Sequence, residues 1–108
     1  MWNHYEVYFI IKTLKDINIT DVEDRIRGFE DVQIVRSVPN DKLINLSKTS
    51  NTYNWSLTRI KFFTYAPPQE TVNYIKSRIL TSNDNEGTKK IVGVATAVPK
   101  MDTINKYK

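Results

Sequence analysis

The chain has 108 residues, 40% hydrophobic and 26% charged, an ordinary globular composition for one domain with a modest core. It holds no cysteine, which excludes disulfides, thiolate metal sites and cysteine nucleophiles. The net charge of +4 is unevenly placed: residues 1–41 carry five basic and eight acidic residues, and residues 42–108 carry eleven and four. Such asymmetry marks candidate polyanion-binding halves, although a solvated surface also accounts for it.

The first periodic segment is Tyr5-Glu6-Val7-Tyr8-Phe9-Ile10-Ile11-Lys12. Its β-branched and aromatic residues suit a pleated strand. Alternation puts Tyr5, Val7, Phe9 and Ile11 on one face, expected inward, and Glu6, Tyr8, Ile10 and Lys12 on the other.

A helix is expected next, through Thr20–Phe29. Thr20 and Glu23 have the spacing of a capping box, and Val22, Ile26 and Phe29 recur at helical period. Asp21 with Arg25 and Glu23 with Arg27 are acid-first i,i+4 pairs, and Gly28 is the expected stop. The acids Asp21, Glu23 and Asp24 are read as helix-dipole partners rather than catalysts, and Glu30-Asp31 as a turn pair.

Val32–Val38 reads as the second strand, ending at Pro39. Residues 40–55, rich in Asn, Ser, Thr and Lys, read as a long connection with short strand ends. The third strand is expected over Leu57–Tyr65, with Ile60 and Phe62 inward. Pro67-Pro68 stops it, and Pro68 suits the first turn of a helix whose stripe is Val72, Ile75 and Ile79. The polar run 81–87 reads as a loop, Ile91–Val98 as the fourth strand, and residues 100–108 as a fraying polar tail.

The element order β-α-β, connection, β-α-β resembles the ferredoxin-like superfold over about residues 5–98. That resemblance implies one α+β domain, residues 1–108: a two-layer sandwich whose four-stranded antiparallel sheet carries both helices on one face. It supplies no function, because the superfold hosts many.

With Ile60 and Phe62 inward, Arg59, Lys61, Phe63 and Tyr65 face outward, beside Tyr8 and Ile10 of the first strand. The run Arg59–Tyr65 resembles the third-strand motif of RNA-recognition domains, and Val7-Tyr8-Phe9 the start of their first-strand motif. Their motif glycines are missing, Lys61 stands where an outward aromatic is usual, and Ile10-Ile11-Lys12 replaces the usual Asn-Leu. The leading expectation is a non-catalytic assembly module that associates with itself or a protein partner through this face. The small residues Gly93, Ala95 and Ala97 would allow close approach there. Binding of RNA or single-stranded DNA by Tyr8, Arg59, Lys61, Phe63 and Tyr65 is the alternative. A third option is a monomer whose connection or tail covers the face, with Tyr53 and Trp55 as plugs.

No enzyme constellation, cofactor motif or metal-ligand spacing is found. His4, the one histidine, reads as a surface residue. Lys42, Lys48, Lys89 and Lys90 read as solvated members of the basic half. No leader or membrane span is expected from the opening residues or from any apolar run. The triplets at Asn18, Asn45 and Asn54 then read as chance glycosylation matches, and cytoplasmic residence is expected. Abundant Asn, Ile, Lys and Tyr point to an AT-rich genome, as in many phages and some marine bacteria. An accessory protein in a phage particle or its host cytoplasm fits that composition.

Overall fold

The computed structural model describes residues 2–81 and 91–101. Along the chain run β1 (Asn3–Leu14), α1 (Ile19–Arg27), β2 (Val32–Val38), α2 (Asp41–Thr49), β3 (Tyr53–Thr64), α3 (Pro68–Thr81), β4 (Ile91–Thr96) and β5 (Lys100–Met101). The loop expected after residue 81, Lys89 and Lys90, and the tail beyond residue 101 lie outside the described residues.

The sheet order is β2-β3-β1-β4, with β5 also on β1, and every pairing is antiparallel. β1 and β3, each 12 residues long, form the centre. This is an α+β fold with an antiparallel sheet, compatible with the ferredoxin-like arrangement.

Alternation in β1 decides which face is buried. Tyr5, Val7, Phe9 and Ile11 are all in the core. They meet Ile60 and Phe62 of β3, Val35 of β2 and Ile91 of β4. Val22 and Ile26 of α1 and Val72, Ile75 and Ile79 of α3 join the same cluster. Both helices therefore cover one side of the sheet, and hydrophobic burial fixes them there. Tyr5 and Phe62 stack at 5.6 Å within this layer.

Three local expectations are corrected. The N-cap of α1 is Asn18, not Thr20: Asn18 is extended, and its side chain accepts from the Thr20 N–H at 3.0 Å. Asn is among the strongest capping residues, and starting two residues earlier lengthens the hydrogen-bonded ladder. Glu23 is thereby moved off the helix entrance and into the interface with the sheet, where it is 5% exposed. Arg27 pairs with Asp24 at 2.7 Å and donates to the Val35 carbonyl at 2.6 Å. Gly28 does end the helix, in ordinary right-handed geometry.

The expected connection over 40–55 is instead a helix and the first turn of a longer strand. Pro39 ends β2, and extended Asn40 caps α2 by accepting from the Leu43 N–H at 3.1 Å. Asp, Asn, Ser and Thr dilute the helix signal of this stretch, although Lys42, Leu43, Leu46 and Lys48 favour helix. No residue of α2 is fully buried; Leu43 and Ser47 are half-buried, and Ser47 ties the helix to β3 through hydrogen bonds. Ser47 Oγ accepts from the Trp55 N–H at 2.8 Å and donates to the Trp55 carbonyl at 3.2 Å. A side chain thus occupies both ladder positions of β3 just beyond the last β2 pair, Val38 with Leu57. Lys15 Nζ also donates to the Ser47 carbonyl. Together these cover an otherwise open strand edge.

The start of the tail does not fray. Ala97 N–H donates to the Tyr8 carbonyl at 3.1 Å, and after Pro99 the pairing resumes as Glu6 with Lys100 and Tyr5 with Met101. Pro99 lacks the N–H a continuous ladder needs, which divides this edge into β4 and β5.

Candidate interaction face

The side of the sheet away from α1 and α3 is built by the residues that alternate with the core. From β1 these are His4, Glu6, Tyr8, Ile10 and Lys12. From β3 they are Tyr53, Trp55, Leu57, Arg59, Lys61 and Phe63. Register sets them opposite one another: His4 with Phe63, Glu6 with Lys61, Tyr8 with Arg59, Ile10 with Leu57, Lys12 with Trp55. β2 contributes Ile34, Arg36 and Val38, opposite Lys61, Arg59 and Leu57. β4 contributes Gly93 and Ala95, opposite Lys12 and Ile10.

All six residues singled out by alternation lie on or beside this face. Tyr8 and Ile10 are exposed near its centre, and Arg59, Lys61 and Phe63 are half-exposed. Tyr65 lies one residue past β3 and is exposed. Arg59 donates to Glu6 Oε2 at 2.6 Å, a pair whose side chains are about a quarter exposed. Such a pair aims the guanidinium more than it stabilises the fold.

Two aromatic groups stand at opposite ends. At one end the Trp2 ring lies 5.3 Å from Phe63 and 5.6 Å from Tyr65, and His4 lies 5.6 Å from Phe63. His4 is therefore a half-buried ring partner rather than a free surface residue, and its Nδ1 is buried without a hydrogen-bond partner. At the other end Tyr53 and Trp55 meet edge-on at 6.1 Å, with Lys12 Nζ 4.1 Å and 5.3 Å from their ring centres. An ammonium over two rings is held by their negative faces.

Sequence reading missed this second group. It took Tyr53 and Trp55 for loop residues able to plug the face, whereas they belong to β3 and form part of it. The signal was present: Tyr53, Trp55, Leu57 and Arg59 continue the two-residue alternation backwards from the recognised strand. Trp2, Lys12 and Arg36 were also not singled out.

The charge of the face is one-sided. Its strand residues include the cations Lys12, Arg36, Arg59, Lys61 and Lys100 and one acid, Glu6. The helix side is the more acidic: Asp21, Glu23 and Asp24 lie on α1, and Glu30 and Asp31 in the turn behind it.

Two grooves flank α2, and both reach Trp55 of the face. One, of about 380 Å³, lies between the β1–α1 turn and α2 and includes Lys15, Ile17, Ile44 and Lys48. The other, of about 320 Å³, lies between α2 and the end of β2. Among the described residues no group of three or more His, Cys, Asp or Glu is placed to hold a metal ion. Among them, too, no helix is long and apolar enough to cross a membrane.

Fold and face together define an α+β sandwich with an open, basic and aromatic sheet surface. No family model, curated protein or solved structure matches the chain at a significant level.

Proposed function

We propose that the chain is a non-catalytic binding module of ferredoxin-like fold that holds single-stranded nucleic acid on its open sheet face. One observation carries this reading: among the described residues, cations outnumber acids five to one on a face that also presents Tyr8, Tyr53, Trp55 and Phe63. Bases stack on aromatic rings and phosphates seek cations, so this combination serves a single strand. The central position of β1 and β3 supports the same reading, as does the likeness of Arg59–Tyr65 to a base-stacking strand.

Association between two copies through this face is the competing use. Exposed Tyr8, Ile10 and Ile34 supply apolar area for it. Its obstacle is charge: two like faces bring cations against cations, with Glu6 as the one acid on each among the described residues. A polyanion meets no such cost.

The test is anisotropy of a labelled mixed-sequence 12-mer, titrated at low and at physiological salt. Affinity should fall as salt rises, by about 0.7 in the logarithmic slope for each phosphate neutralised. Phe63→Ala and Tyr8→Ala should each weaken binding by roughly ten-fold, the scale of one lost stacking contact. Absence of salt-sensitive binding at low ionic strength would overturn the proposal. Light scattering on the same samples then separates the uses of the face: a dimer abolished by Tyr8→Ala and unaffected by oligonucleotide assigns it to self-association.

A further inference from the structure

Resting on that reading, we infer that the single strand runs lengthwise along β1 and β3, from the Trp2–Phe63–Tyr65 group to the Tyr53–Trp55–Lys12 group, and not across the sheet. The aromatic residues decide the direction. Among the described residues, every ring on the face belongs to β1, to β3 or to the residues just beyond their ends. A path across the sheet would leave this central pair at once. On one side it would meet Gly93 and Ala95 of β4, which offer neither ring nor charge, and Lys100 of β5, a cation without a ring. On the other it would meet Ile34, Arg36 and Val38 of β2, with one cation and no ring. Among the described residues, stacking is available only lengthwise.

The cations follow the same line. Lys61 and Arg59 lie at successive levels along the central pair, Lys12 lies two levels beyond Arg59, past Ile10 and Leu57, and Arg36 sits beside Arg59. Eight residues of β3 separate Trp55 from Phe63, which at about 3.3 Å per residue is roughly 26 Å. A single strand lying on the rings is stretched beyond duplex spacing, so several nucleotides, roughly the lower part of the 4–16 range of such sites, cover that length. Lys12 already lies over both rings of the far group, so a base arriving there displaces the ammonium toward the phosphates. The far group thus pairs a stacking surface with a cation in one place.

The chain's two tryptophans mark the two ends of this path. Trp55→Phe leaves Trp2 as the sole indole, and Trp2→Phe leaves Trp55. Each variant is titrated with oligothymidine of 4, 8 and 12 residues, following indole emission and anisotropy together. The 8-mer and 12-mer should quench both indoles, and the 4-mer should bind at least ten-fold more weakly than the 8-mer. Quenching of Trp2 without any change at Trp55 by a saturating 12-mer would overturn the lengthwise path while leaving nucleic-acid binding intact. A 4-mer that binds as tightly as the 12-mer would do the same. No anisotropy change with any length would instead remove the underlying reading.

Discussion

Glu23 of α1 and Thr58 of β3 face each other inside the helix–sheet interface, 5% and 0% exposed. Burial raises the Glu23 carboxyl above its ordinary value of 4.5, and Asp24 adds to the rise. The Arg27 charge and the Thr58 hydroxyl oppose it, yet Glu23 Oε2 and Thr58 Oγ1 each lack a hydrogen bond of regular geometry. An acid in that setting is better tolerated neutral than charged. With the folded-state pKa above the unfolded one, its contribution to stability is fullest below the unfolded pKa. That contribution is lost as pH rises through the folded value.

Glu23→Gln should therefore gain on the wild type as pH rises from about 4 toward neutrality. At neutral pH the variant should be the more stable by about 1 kcal/mol, the scale of a poorly paired buried polar group. Urea unfolding of both proteins across that range measures the difference, which cancels the other carboxylates. A difference that stays flat with pH would show that Glu23 titrates normally.

Ser47→Ala should release α2 from the sheet edge. It removes both hydrogen bonds to the Trp55 backbone, roughly 1–2 kcal/mol of local stability. Hydrogen exchange should show the Trp55 amide losing protection while core amides of β1 keep theirs. Unchanged protection at Trp55 would mean that α2 is held by other contacts.

Asn18→Ala should cost about 1 kcal/mol as the loss of a helix N-cap. Thr20→Ala should change stability by under ~0.5 kcal/mol, because Thr20 is exposed and already inside the helix. Denaturant melts of the two variants separate the caps directly. The reverse order would restore the Thr20–Glu23 capping box.

Ile60→Ala and Ile34→Ala test which face of the sheet is the core. Ile60 is fully buried and should cost about 2–5 kcal/mol. Ile34 is 41% exposed on the opposite face and should cost less than ~1 kcal/mol. Comparable losses at both positions would indicate that the open face is covered in solution.

Much of this architecture could be read locally. The alternation from Tyr5 to Ile11 names the buried face of β1, and Val72, Ile75 and Ile79 name the buried stripe of α3. Gly28 and Pro68 mark helix ends through their own backbone preferences. Such signals survive because each depends on a residue and its near neighbours. α2 was not read for the converse reason: Asp, Asn, Ser and Thr interrupt its helix formers, and contact with Trp55 of a later strand holds it.

The sequence by itself determined which residues of each long strand and core helix turn inward, because hydrophobic burial acts through local periodicity. It also placed Tyr8, Ile10, Arg59, Lys61, Phe63 and Tyr65 on the side away from that core. Only the tertiary structure decided that Lys12 meets Tyr53 and Trp55, that Trp2 joins Phe63 and Tyr65, and that Glu6 takes Arg59. These partners lie some forty to sixty residues apart along the chain. Strand register brings them together, and register follows from the packing of the whole sheet rather than from any segment of it.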